Sequence, residues 1–213
     1  MKTHRLTQLL SLSAVLLALA TAASAQSLIR FESQPGSKMR MDGTSTVHAW
    51  HAESMLIGGF IELDAALVEA PDKAKPGKFT AKGETFIAVR SLKCSSGKPM
   101  DAVMQEAMKE KENPRITFKL VELTLKDVKG AAVNFDAKGT LTVSGVTKEI
   151  LLPVTMLRRV DQSRVTFSGT TSLKMTDFKI TPPAPTSALG LIKTGDDVKL
   201  TFEWVVGKKD AAK

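Results

Sequence analysis

From Ser27 onward the chain alternates apolar with polar positions, and one stretch breaks the pattern. In Ala131 to Val143, the residues Val133, Phe135, Ala137, Leu141 and Val143 share one side. Val165, Phe167 and Leu173 alternate with Thr166, Ser168, Thr170 and Ser172. Val198, Leu200, Phe202, Trp204 and Val206 form one face of the final run, as Met39 and Met41 do near the start. A period of two is the mark of a half-buried β-strand. Further strands are predicted over Ser27–Glu32, Met55–Asp64, Glu84–Arg90 and from Ile116. Gly58-Gly59 interrupts its strand as a bulge or sharp bend. Turns fall at Gln34–Ser37 and Ser144–Thr147, and proline-rich loops at Ala70–Lys78 and Thr181–Thr186.

The exception is Ser91 to Phe118. Met100, Val103, Met104, Ala107 and Met108 recur at helical spacing, with Asp101, Gln105, Glu106, Lys109 and Glu110 on the opposite face. Pro99 suits the first helical turn, and Asn113-Pro114 stops the helix. A helix this short cannot hold itself in water, so its methionine face must lie on the neighbouring strands. The chain is therefore all-β with one short helical crossover. A sandwich and a closed barrel both satisfy one apolar face per strand; closure alone removes the edges.

Composition changes this picture in three places. Lys2, His4 and Arg5 precede an apolar run, Leu9 to Ala20, and an Ala23-Ser24-Ala25 cleavage site. Residues 1–25 therefore read as a secretory signal peptide, 26–207 as one β domain and 208–213 as a charged flexible tail. The expected destination is the periplasm. The formal net charge is +8, two charges of which leave with the leader. Secretion argues against nucleic acid as partner, while anionic lipid at a membrane surface suits a basic exterior. Cys94 is the single cysteine, so no internal disulfide forms. The pattern sets no oligomeric state.

No catalytic constellation emerges. There is no nucleophile elbow, paired-cysteine motif or phosphate loop. His48 and His51 are the histidines beyond the leader, and their spacing puts them on opposite faces of a strand, so no metal site is assigned. What the chain offers is apolar lining: nine methionines and nine phenylalanines against no tyrosine. Such side chains bring no hydroxyl to satisfy inside a barrel. Any β-barrel fills its interior with such residues, so composition alone favours an ordinary packed core over a ligand tunnel.

Four stretches then resemble the YceI-like family of periplasmic polyisoprenoid-binding proteins. They are GTSTVHAW (Gly43 to Trp50), the helical unit ending NPRITF (Asn113 to Phe118), GTLTVSGVTKEILLPV (Gly139 to Val154) and LKMTDFKITPP (Leu173 to Pro183). The resemblance implies an extended antiparallel, lipocalin-like barrel of about eight strands with a long isoprenoid tail in its bore. It implies binding rather than catalysis and no cofactor; the ligand would be a polyisoprenoid or an isoprenoid quinone. The expected lining is Phe118, Phe135, Ala137, Phe167, Phe202 and Trp204, with Met100, Met104 and Met108 from the helix. Lys93, Lys98 and Lys109 are the expected rim for a head group, chosen by their nearness to the helix. Two rivals remain: a filled structural or protein-interaction barrel without ligand, and a lipid-modifying enzyme with His48 or His51 as base.

Overall fold

The computed structural model describes residues 27–158, 164–184 and 192–209. The leader assigned at 1–25 and the last residues of the tail lie outside them, as do Pro185 and Thr186 of the second proline-rich loop. The first half of the chain supplies β1 (Leu28–Ser33), β2 (Lys38–Ser45), β3 (Ala49–Ser54), β4 (Gly58–Asp64), α1 (Ala65–Glu69), β5 (Gly77–Phe79), β6 (Ala81–Ala88), β7 (Lys93–Cys94) and α2 (Lys98–Ala107). The second half supplies β8 (Arg115–Lys129), β9 (Ala132–Val143), β10 (Val146–Arg158), β11 (Arg164–Lys174) and β12 (Thr194–Lys208).

These segments make eight staves of a closed antiparallel barrel. β1 and β2 run end to end along β12, from Phe31 opposite Lys208 to Ser45 opposite Thr194. β3 and β4 pair with them as a second interrupted stave, and β6 and β7 form a third. β8 to β12 are unbroken, and each pairs with its neighbour in sequence. Contact between β12 and β1 closes the ring.

Each of the three breaks is stitched by serine hydroxyls. At the first, the Ser37 hydroxyl accepts from the Val205 N–H at 3.0 Å and donates to the Gln34 carbonyl. At the second, Ser54 accepts from the Leu56 N–H and bonds Ser91 at 2.7 Å. At the third, Ser91 donates to the Ala88 carbonyl. Ser37 and Ser54 are 2% and 0% exposed, so these buried hydroxyls find their partners in the backbone rather than in water.

The ends differ. One is plugged by α1, whose Leu67 and Val68 are buried. Asp64 caps this helix, and Arg158 donates to the Val68 carbonyl. The helix corrects the expectation of a single helical crossover; five residues are too few to show a helical period. The other end carries α2 and the β9–β10 hairpin, whose Ser144 and Gly145 have φ of 50° and 76°, as a two-residue primed turn requires.

α2 stops at Ala107, short of the expected Asn113. Lys109 takes φ 52° and the Glu110 N–H reaches back to the Gln105 carbonyl, a left-handed cap that ends the helix early. Asp101, placed by periodicity on the solvent face, is 7% exposed and accepts the Cys94 N–H at 2.6 Å. It ties α2 to β7.

The β10–β11 ladder runs only from Arg158 opposite Val165 to Val154 opposite Gly169. Pro153, with no N–H to offer, is the first residue beyond the split. Phe178 and Ile180, both buried, come from the segment after β11 that packs beside β10 there.

The serine stitches yield a direct expectation. Ser54→Ala leaves the Leu56 N–H and the Ser91 hydroxyl short of a partner, and should destabilise the fold by about 1–3 kcal/mol. Urea unfolding checks this, and a midpoint equal to wild type would show the break to be held by other contacts.

Candidate functional site: an apolar bore

The alternation of six inward positions on β9 and five on β12 leaves the barrel interior almost wholly apolar. It does not fill it. A cavity of about 280 Å³ lies within the barrel, covered by α2. The helix turns Met100, Val103, Met104, Ala107 and Met108 toward it, which accounts for its amphipathic spacing.

Of the lining expected from sequence, Phe118, Ala137, Phe167, Phe202 and Trp204 border the cavity, together with Met100, Met104 and Met108. Phe135 does not. It lies one inward position beyond Ala137 toward the start of β9 and is 2% exposed, so it is packed core. The Trp204 indole N–H donates to the Ser33 hydroxyl at 2.8 Å, and its ring centroid lies 5.7 Å from that of Phe167.

The three lysines expected at the rim stand outside the lining. Lys93 reaches Asp101 at 3.5 Å; Lys98 opens α2 and Lys109 follows it, both exposed. Lys174 borders the cavity instead, with its ammonium 2.9 Å from Asp197. Sequence reasoning also passed over Trp50, Met39, Met41, Met175, Phe178 and Ile180 as lining. Met39 and Met41 were visible as one face of a strand. Trp50 shares its strand face with Ala52, a signal masked by the two histidines beside it. Phe178 and Ile180 lie outside any strand and left no period to read.

His51 sits opposite Asp42 on the outer face, and neither it nor His48 borders the cavity. Among the described residues, no group of three or more histidine, cysteine, aspartate or glutamate side chains gathers as a metal ligand set. Cys94 does border the bore, with its thiol 3.8 Å from the Met104 sulfur. Burial, with the Asp101 carboxylate beside it, pushes the thiol up to about 11. The thiol therefore stays neutral and unreactive across the physiological range. The lining is overwhelmingly apolar, so the site's chemistry is dispersion and solvent exclusion.

A family model described as YceI-like domain matches residues 23–206. A search of curated proteins returns no match. Among solved structures, a polyisoprenoid binding domain from Saccharophagus degradans, implicated in plant cell wall breakdown, aligns with a TM-score of 0.63 at 12% identity, over 85% of this chain and 99% of that one. BcnA of Burkholderia cenocepacia aligns at 0.58 and 19% identity, over 79% and 95%. The YceI protein of Campylobacter jejuni aligns at 0.55 and 23% identity, over 75% and 85%. At these identities the likeness establishes the barrel fold.

The thiol supplies the test of this electrostatic picture. At pH 8, Cys94 in the folded protein should react with a soluble disulfide reagent at least tenfold more slowly than in denaturant. The rate should climb as pH rises toward about 11. Equal rates folded and unfolded at pH 8 would show an open, ionised thiol.

Proposed function

The chain belongs to the YceI-like domain family, and from that membership and the apolar bore we propose that it is a lipid-binding barrel holding one isoprenoid or similar long apolar chain. The single observation that carries this reading is the unfilled apolar cavity, roofed by a methionine-lined helix. The neighbour from S. degradans, described as a polyisoprenoid binding domain, supports the same ligand class. Affinity comes from burial. At roughly 0.8 kcal/mol per CH₂, ten methylene equivalents gain up to about 8 kcal/mol before ordering costs. A quinone or phosphate head group stays at the α2 end, where Lys174 borders the cavity while Lys98 and Lys109 stand exposed outside it. The same lysines support peripheral contact with anionic lipid during loading. The leader at 1–25 supports a periplasmic location. Catalysis has no support in the lining, and the family is one of binding proteins.

Lipid extraction and native mass spectrometry of protein purified from its own periplasm should reveal a bound long-chain lipid. Ala137 borders the cavity and is 4% exposed. Ala137→Trp should give a folded protein whose affinity for a fluorescent prenyl probe falls at least tenfold. A wild-type protein with no extractable lipid and no probe uptake would sink the reading and favour a structural barrel.

A further inference from the structure

An eight-stranded barrel has an interior just wide enough for its own side chains to fill. This one lines its bore with aromatic rings and still keeps a cavity. Three inward-facing glycines explain how. A Cβ on Gly43 would lie 2.2 Å from the Trp50 ring, one on Gly139 2.4 Å from Phe118, and one on Gly169 2.7 Å from Phe202. Each ring thus occupies the space where the glycine's side chain would begin. Gly43 faces Trp50 and Gly169 faces Phe202 directly across their ladders, and Gly139 is offset by one inward position from Phe118. All three rings border the cavity. The pairs lie on β2–β3, β8–β9 and β11–β12, the first and last on adjoining staves because β12 pairs with β2, and the second across the ring from them.

We propose that Gly43, Gly139 and Gly169 are the specificity-determining positions of the bore. By letting three large rings rest against the wall, they hold open a channel for one slender hydrocarbon chain and deny it to a fused-ring lipid. The cavity volume, at the small end for ligand pockets, agrees with a narrow channel. This deepens the lipid-binding reading and rests on it.

Gly43 is the clean position to test. The three nearest atoms to its missing Cβ are all Trp50 side-chain atoms, whereas Gly139 and Gly169 also meet backbone oxygens at 2.5 and 2.6 Å. Its φ is not in the left-handed region, so alanine brings no backbone strain. The probes are a fluorescent geranylgeranyl compound and a fluorescent sterol, titrated into the full chain. Wild type should bind the prenyl probe at least tenfold more tightly than the sterol. Gly43→Ala should weaken prenyl binding at least tenfold, and Gly43→Ala with Trp50→Leu should restore it to within threefold of wild type. Prenyl binding unchanged in Gly43→Ala, or a loss that persists in the double variant, would overturn the proposal. So would sterol binding as tight as prenyl in wild type. A crystal structure of Gly43→Ala reads the ring itself and needs no ligand. Trp50 displaced into the bore is the expected result, and Trp50 turned outward to solvent overturns it. Absence of all lipid binding in wild type would fell the lipid-binding reading, while this structure still decides whether the glycine sets the ring.

Discussion

The rest of the molecule depends on closure of the ring at β12. That strand is paired along one edge by β11 from Arg164–Gly207 to Lys174–Asp197, and along the other by β2 and β1 in succession. Its second edge is therefore shared between two segments separated by Gln34 to Ser37. The gap is where closure is most exposed to failure, because Val205 there lacks a strand partner on that side. Gln34 donates its N–H to the Val205 carbonyl, and Ser37 takes the Val205 N–H. Two short polar contacts thus complete a ladder that two strands leave open. The breaks at Ser54 and Ser91 repeat the device on the next two staves. Three adjacent interruptions let this part of the wall bend where unbroken strands would have to strain.

Much of this was legible from hydrophobic spacing, and what was missed shares a cause. Period two assigned in and out on β9, β11 and β12, where Val133, Phe135, Val165, Phe167 and Trp204 are buried. It carried no information on depth along the axis. Hence Phe135, in phase with Ala137, was expected in the bore and belongs to the packed core below it. The serine stitches had no periodic signal, since a buried hydroxyl and an exposed one read alike in sequence. Asp101 was assigned to water for the same reason. A carboxylate on the polar face of a helix gives no sign that a strand N–H lies 2.6 Å away. The rim lysines were chosen by nearness in sequence to α2, whereas Lys174 reaches the cavity from β11, far away in the chain.

The bore's chemistry follows from the same geometry. Polar groups in the wall are spent on one another or on the backbone: Trp204 on Ser33, Trp50 on the Thr44 carbonyl, Cys94 on Met104. The remaining polar side chains of the lining, Thr85, Ser96, Thr171, Lys174 and Thr194, are few among some forty residues, so hydrogen bonds play a minor part there. Discrimination must then come chiefly from shape. An apolar wall distinguishes neighbouring hydrocarbons only weakly by contact energy, because a methylene more or less changes binding by little. Cross-section is a stronger filter, since a group too wide must displace well-packed rings or strands. In a wall of flexible side chains such a filter would blur, and the methionines of α2 give that kind of surface on the roof. On the staves, by contrast, the rings of Trp50, Phe118 and Phe202 are set against glycine backbone, which cannot yield as a side chain does. The barrel therefore combines a rigid circumference with an adaptable roof, an arrangement suited to chains of constant width and variable length.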